Sequence, residues 1–380
     1  MDAVIVGCGN IGLATALLLR ELSLEPSLID VDCRRLSYLS REYGFKTYCI
    51  NLLSNSSEEL LRKLSKEVNT CITALPSKVG FEGVKAVIKA GFKYVVDVSY
   101  MREDQFLLNE LAIKKGSTVL VDAGLAPGLS NLLVGNSYLR IIDEGSEVKE
   151  VAIYVGGLAK DPKCPLGLAK TWNVRDLLDE YVRPARVVIN GSVKYVDPLS
   201  MVGDVEVPKV GTFEYFVSDG LRTMIKSLKP PKELMAEYTL RYSGHLRVMK
   251  LLKELGLLNE EPIKVGNTEV APIDVTTELL SKLLSKCVED RVVMYVKVLS
   301  TDSINLQYLL NVSFDSRRGL TAMSLTTSGT QASVTKALIN GELEGIKEGI
   351  HGLEDVGLMG GLSKVLKYLS RLGVSIEELK

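Results

Sequence analysis

Short runs of β-branched and other apolar residues alternate with stretches of helical periodicity through the first third of the chain. The runs lie at Ala3–Gly7, Ser27–Asp30, Phe45–Asn51, Thr70–Ala74, Tyr94–Val98 and Thr118–Asp122, each short enough for a buried strand. Between them, amphipathic stretches near 10–22, 33–43, 57–67, 78–91 and 103–115 predict helices. Strands and helices in strict alternation predict an α/β domain built on a doubly wound parallel sheet. The rhythm changes after Gly124. Pro127 suits the first turn of a helix over roughly 128–140. Longer strands then follow at Glu147–Gly156, Arg186–Val196, Thr212–Ser218, Met235–Tyr242 and Arg291–Ser300. Asn190-Gly191 interrupts the second of these as a two-residue hairpin turn would. The expectation is a second, α+β domain on a largely antiparallel sheet. Helical periodicity returns near Gly329–Glu342, which suggests boundaries of 1–124, 125–328 and 329–380, the last segment returning to the first domain.

Composition narrows the classes of function. Lys and Arg total 46 against 47 Asp and Glu, a net charge of −1, which argues against a dedicated nucleic-acid binder or a membrane-surface protein. No apolar run is long enough to span a bilayer, and because the first strand begins by residue 4 without a basic stretch or cleavage site, no signal peptide is expected. The six cysteines (Cys8, Cys33, Cys49, Cys71, Cys164, Cys287) are far apart in sequence, without a CxxC pair or a neighbouring histidine. Most fall inside apolar runs and read as small hydrophobes, none reads as a metal ligand, and the expected setting is reducing and cytoplasmic.

The segment Val4-Ile5-Val6-Gly7-Cys8-Gly9-Asn10-Ile11-Gly12, running on to Leu28-Ile29-Asp30, carries the most chemistry. Gly7 permits a tight turn out of the strand, Gly9 admits a pyrophosphate against the backbone, and Gly12 lets the helix pack on the sheet. Asn10 and Ile11 open that helix, whose N-terminus favours anions. Asp30 stands where a carboxylate accepts hydrogen bonds from the adenosine ribose hydroxyls. The pattern predicts a Rossmann dinucleotide site, with NAD favoured over NADP because a 2′-phosphate would meet the Asp30 charge. Arg34 and Arg35 could soften that preference, or be solvated helix residues. Ala74, Leu75 and Pro76 leave the fourth strand on the cofactor side of such a sheet.

Further candidates follow from position. Asp97 and Tyr100 end a parallel strand on the edge where ligands bind, with Ser99 between them as a possible helix cap. Asp122 precedes a small-residue segment, Ala123 to Gly128. His245 stands at a strand-to-helix junction close to Arg241, an arrangement suited to binding a carboxylate and moving a proton, although a capping histidine and an internal ion pair would look the same. His351 reads as a surface loop residue, and Trp172, the only tryptophan, as a packing anchor or a lid over a substrate.

Taken together, Val96-Asp97-Val98-Ser99-Tyr100, Asp122-Ala123-Gly124-Leu125-Ala126-Pro127-Gly128-Leu129-Ser130-Asn131, Val155-Gly156-Gly157-Leu158, Asp179-Glu180-Tyr181, Asp197-Pro198-Leu199-Ser200, Ser218-Asp219-Gly220-Leu221 and Thr239-Leu240-Arg241-Tyr242-Ser243-Gly244-His245 resemble the saccharopine dehydrogenase family, over about residues 1–345. Within it the lysine 6-dehydrogenases are most similar. Ser243 departs from the proline expected there, and the tail near Gly352–Gly357 lacks a proline-containing turn common in the family. The resemblance implies NAD-dependent oxidative deamination of the ε-amine of L-lysine. For that reaction an imidazole titrates in a useful range, which makes His245 the candidate base, with Asp97 and Tyr100 as further catalytic candidates that could contact substrate or nicotinamide ribose, Arg241 on the substrate carboxylate, Asp97 or Asp122 on an ammonium, and Asn131 and Trp172 on the substrate. No metal is implied. Alternatives are a saccharopine dehydrogenase, an imine reductase on the same frame, and a non-catalytic NAD-binding regulator. A homodimer joined through a sheet edge or face of the second domain is also expected.

Overall fold

The computed structural model describes residues 1–54, 57–171, 173–343 and 345–379. In chain order the elements begin with β1 (Ala3–Val6), α1 (Asn10–Glu21), β2 (Pro26–Asp30), α2 (Cys33–Tyr43), β3 (Thr47–Cys49), α3 (Ser57–Glu67), β4 (Thr70–Thr73), α4 (Ser77–Ala90), β5 (Tyr94–Asp97), α5 (Asn109–Lys115), β6 (Thr118–Leu120) and α6 (Leu129–Asp143). They continue with β7 (Val148–Ala159), α7 (Val174–Asp179), β8 (Ala185–Ile189), β9 (Ser192–Val196), β10 (Val202–Val207), β11 (Gly211–Ser218), α8 (Met224–Ser227), β12 (Leu234–Arg241) and α9 (His245–Glu254). The last are β13 (Ile263–Val265), β14 (Thr268–Val270), α10 (Pro272–Leu284), β15 (Asp290–Ser300), β16 (Asn305–Ser313), α11 (Ala322–Ile339), β17 (Gly349–His351), α12 (Leu353–Leu358), α13 (Leu362–Arg371) and β18 (Glu377–Leu379). The chain divides into two compact units: Met1–Arg140 with Ser324–Ser375, and Ile141–Met323 with 376–380.

In the first unit every neighbouring pair of strands is parallel, in the order β17-β6-β5-β4-β1-β2-β3. The order reverses between β1 and β4, the switch point beside which ligands of such sheets bind. Val4, Val6, Cys71, Val95 and Val119 from the strands pack with Val84, Val87 and Ile88 of α4, all almost wholly buried. The strands read as continuous apolar runs because helices cover a parallel sheet on both faces, each buried aliphatic side chain contributing about 1.5–3 kcal/mol. The doubly wound α/β expectation is met, with β17 added beside β6 from the far end of the sequence.

The second unit carries a sheet ordered β10-β11-β12-β7-β15-β16-β18, with β8 on β12 and β9 on β8. Its pairs are antiparallel apart from β12 with β7, so the largely antiparallel expectation also stands. The β8–β9 hairpin turns at Asn190 (φ 49°) and Gly191 (φ 73°), the backbone a two-residue turn requires. Among the described residues no helix is long and apolar enough to cross a membrane.

Several local expectations are corrected. Pro127 precedes its helix instead of opening it, in a cis bond after Ala126, and α6 begins at Leu129. His351 is no loop residue: it ends β17, and its ring bonds Asp355 Oδ2 (2.9 Å) and the Lys347 carbonyl (3.1 Å). Cys33 is bonded to Cys49 and Cys164 to Cys287, leaving Cys8 and Cys71 as the buried free thiols. The small-hydrophobe reading therefore holds for Cys8 and Cys71, and the other four cysteines are paired. Spacing along the chain hid them because each pair is brought together by tertiary contact.

Candidate functional site

In the first unit the glycines of the β1–α1 turn have separable reasons. A Cβ on Gly7, whose φ is +90°, would lie 2.3 Å from the Ala74 carbonyl oxygen, and one on Gly12 would lie 1.8 Å from the Gly7 carbonyl oxygen. Both are required by packing. A Cβ on Gly9 would meet nothing within 4 Å, so the absence of a side chain there leaves open space against the N-terminus of α1. No side chain caps that terminus, its first turn is without an acidic residue, and Gly9 and Asn10 are exposed. An anion fits such a place, and a dinucleotide pyrophosphate is the anion this turn is shaped for.

Asp30 closes the other end. Its Oδ2 accepts from the Cys8 amide (2.6 Å) and its Oδ1 from the Asp32 amide (2.9 Å). Asp32 caps α2 by accepting from the amides of Arg34 and Arg35 (3.0 Å each). The Arg35 Nε donates to the Cys8 carbonyl, so Arg35 holds the glycine turn rather than standing in solvent; Arg34 is exposed. Burial pushes the Cys8 thiol up to about 12, which keeps a thiolate out of the turn.

At the carboxyl ends of β4 and β5, Ala74 donates to the Val6 carbonyl (2.9 Å), Leu75 to Ser99 Oγ (3.0 Å), and Pro76 stands before α4. Thr73 Oγ1 donates to Asp97 Oδ1 (2.6 Å), while Asp97 Oδ2 is buried with no partner among the described residues. Burial raises the Asp97 carboxyl to about 7 against the pull of the Thr73 and Ser99 hydrogen bonds. Tyr100 is half-buried three residues on. Asp122, at φ 53°, accepts from Gln105 Nε2 (2.9 Å). Asn131 is almost fully buried: Oδ1 accepts from the Gly128 amide (3.0 Å) and Nδ2 donates to Glu354 (2.9 Å), so it fixes the turn before α6.

In the second unit Arg241 ends β12 and His245 opens α9 behind Gly244, whose φ of +88° makes the corner. The two are linked through Tyr181. Arg241 Nε donates to Tyr181 Oη (2.7 Å), and Tyr181 Oη bonds His245 Nε2 (2.7 Å). His245 Nδ1 faces the Leu166 carbonyl (2.8 Å), which can only accept, so Nδ1 carries the proton and Nε2 accepts from Tyr181. Arg241 also donates to Glu180 Oε2 (3.1 Å) and to the Leu240 carbonyl (2.9 Å). Burial, and then the Arg241 charge, lower His245 to about 3 against the support of the Leu166 carbonyl. It is a neutral, oriented ring at physiological pH.

The described residues thus fall into two groups, one in each unit. Gly7, Gly9, Asn10, Ile11, Gly12, Asp30, Ala74, Leu75, Pro76, Asp97, Tyr100, Asp122 and Asn131 belong to the first, and Arg241 and His245 to the second. Trp172 lies outside the described residues. Sequence reasoning missed Gln331, whose fully buried amide donates to the Thr73 (3.0 Å) and Val96 (3.2 Å) carbonyls and accepts from Thr15 Oγ1 (2.8 Å). A glutamine in a helix otherwise built, from Ser324 to Thr335, of small, hydroxyl and apolar residues was the available signal. Tyr181, quoted only as part of a motif, is the hub of the second group. Among the described residues no cluster of three or more His, Cys, Asp or Glu is placed to hold a metal.

The chain matches the family models described as saccharopine dehydrogenase NADP binding domain over residues 3–120 and saccharopine dehydrogenase C-terminal domain over residues 124–373. It is 27% identical over 239 residues to the NADP(+), L-glutamate-forming saccharopine dehydrogenase of Schizosaccharomyces pombe, covering 61% of this chain and 53% of that protein. It is 25% identical over 323 residues to the mitochondrial alpha-aminoadipic semialdehyde synthase of Rattus norvegicus, covering 80% of this chain and 34% of that one. The matches therefore span about half or less of these relatives' lengths. Among solved structures, apo saccharopine dehydrogenase (L-Glu forming) from Saccharomyces cerevisiae shares the fold, with a TM-score of 0.76 at 18% identity and full coverage of both chains. Homospermidine synthase from Legionella pneumophila, in complex with NAD, does so at 0.66 and 15%, covering all of this chain and 91% of that one.

Proposed function

The chain belongs to the saccharopine dehydrogenase family, and on that premise we propose that it is an NAD-dependent dehydrogenase that oxidises the ε-carbon–nitrogen bond of L-lysine. The products are 2-aminoadipate 6-semialdehyde, ammonium, NADH and a proton, with one water consumed. The observation that carries the redox half is the turn at Gly7–Gly12, where Gly9 leaves open space at an uncapped helix terminus and Asp30 sits at the ribose end. NAD is preferred because a 2′-phosphate would approach the Asp30 carboxylate as a like charge. The substrate half rests on the APGLSN and TLRYSGH segments.

When bound, the nicotinamide supplies the hydride acceptor. The chain's residues divide the remaining tasks. The opening amides of α1 bind the pyrophosphate, and Asp30 accepts from the ribose hydroxyls. Ala74, Leu75 and Pro76 line the cofactor. Asp97 holds or releases a proton at Oδ2: a carboxyl poised near neutrality is matched to removing a proton from an ammonium and returning one to a leaving amine. His245, at about 3, is ill-suited to take that proton, and we read Tyr181–His245 as the support that fixes Arg241. Arg241 keeps its charge: burial works against it, and Tyr181 and Glu180 more than restore it. Its remaining donor capacity is the assigned partner of the substrate carboxylate.

A second reading, oxidation of saccharopine, is favoured by the similarity in sequence to saccharopine dehydrogenases. Product analysis separates the two. With NAD and L-lysine the first reading gives ammonium and the aldehyde, which cyclises on its own α-amine. Glutamate plus the same aldehyde from saccharopine, with lysine unchanged, selects the second and overturns the first.

A further inference from the structure

The Cys33–Cys49 disulfide lies where the dinucleotide site is assembled, and its surroundings give it more than a structural meaning. Cys33 is the first residue of α2, three positions after Asp30. Cys49 ends β3 in register with Asp30, and the following residue, Ile50, donates its amide to the Asp30 carbonyl (3.0 Å). One sulfur therefore belongs to the helix whose Asp32 and Arg35 hold the Asp30 carboxylate and the Cys8 carbonyl. The other belongs to the strand that holds the Asp30 backbone. β3 is three residues long and lies at the edge of its sheet, hydrogen-bonded to β2 alone. Its other ties are the ladder to β2 and the packing of Tyr48 and Ile50 against the core, and the disulfide adds the covalent link between it and the first turn of α2. Both cysteines are exposed, whereas Cys164 and Cys287 are half-buried.

We propose that Cys33–Cys49 is a thiol-responsive clamp on the adenosine-ribose end of the dinucleotide site, opened by a dithiol reductant and closed again by exchange with a small-molecule disulfide, which takes up the two electrons and two protons of the protein thiols as it becomes two thiols. The inference rests on the cofactor reading given above. A thiolate of the dithiol attacks one sulfur, the protein S–S bond breaks to a mixed disulfide, and the second thiol of the reductant resolves it. The protein gains two thiols, and the dithiol loses two electrons and two protons as it becomes its own disulfide. Opening releases the first turn of α2 from β3, so Asp30 and the glycine turn lose their fixed spacing and dinucleotide affinity falls. Linkage makes the effect reciprocal: bound dinucleotide protects the bond from reduction by the same factor.

The test is a fluorescence titration of the full chain with NADH, oxidised and after dithiothreitol, with alkylation and peptide mass analysis reporting which cysteines are free. The expected result is a rise in the NADH Kd of about fivefold or more on reduction, at the lower end of typical site couplings. The original value returns on reoxidation. The C33S/C49S variant is expected to bind at the reduced value with or without dithiol, and NADH to raise the dithiol concentration that half-reduces Cys33–Cys49 by the same factor. An unchanged Kd with Cys33 and Cys49 alkylated overturns the clamp and leaves the cofactor site standing. A dithiol response in C33S/C49S as large as in the natural chain also overturns it, because the effect then belongs to Cys164–Cys287. Absence of NADH binding by the oxidised chain overturns the cofactor reading, and the clamp with it.

Discussion

Burial moves Asp97 and His245 in opposite directions for one reason: each is driven toward its uncharged form, which for the acid is protonated and for the imidazole deprotonated. Between the ordinary carboxyl value of 3.8 and about 7 the folded chain holds a proton on Asp97 that the unfolded chain has released. The Asp97 contribution to stability therefore falls as pH rises through that window. Asp97→Asn is expected to melt higher than the natural chain at mildly alkaline pH and to lose the advantage in acid, by calorimetry. The same variant is expected to lose turnover and the rise in kcat/KM through about 7 that deprotonation of Asp97 gives. For His245 the sign reverses. The unfolded chain binds a proton below 6.5 that the folded chain refuses until about 3, so stability is full above 6.5 and lost as pH falls. A Tyr181→Phe chain leaves Arg241 Nε and His245 Nε2 buried without their common partner, and urea unfolding is expected to show a loss of about 2–4 kcal/mol. The position of Asp30 at the end of β2 was legible because it follows the glycine motif at a fixed distance. The state of Asp97 was not, because it depends on what covers it.

α11 shows the limit of periodicity at the scale of an element. From Thr326 to Thr335 its polar side chains, apart from the half-buried Thr327, are buried along with the apolar ones, so no amphipathic stripe marks its surroundings. Hydroxyls at Thr330 and Thr335 donate back to the carbonyls one turn earlier, and Ser328 donates to the Ile11 carbonyl (3.0 Å) at the start of α1. Gln331 ties the same helix to α1, β4 and β5. Gln331→Leu removes three hydrogen bonds while keeping the helix, and is expected to cost about 2–4 kcal/mol by denaturant unfolding and to weaken NADH binding measurably. By contrast the strands of the first unit and the Asn190-Gly191 hairpin were legible, because short apolar runs and a turn needing positive φ are local signals. β17 was not, since its three residues have meaning only beside β6.

At the scale of the whole molecule the family follows from matches that cover both halves of the chain, and the narrow segments around Asn131 and Arg241 pointed there from sequence. The disulfides were hidden, because their partners meet only in the folded chain. Asp30→Ala is expected to raise the NADH Kd about tenfold or more, the worth of a charge-assisted hydrogen bond, while leaving the melting curve cooperative. The proposed reaction, oxidation of an amine-bearing carbon with NAD as acceptor, is read most directly from the initial rate of NADH formation, followed by absorbance, by the oxidised chain with NAD and L-lysine. A rate that saturates with lysine, requires NAD, and disappears in Asp97→Asn is the expected result. No NADH from lysine or from saccharopine, by a chain that binds NADH, would contradict it.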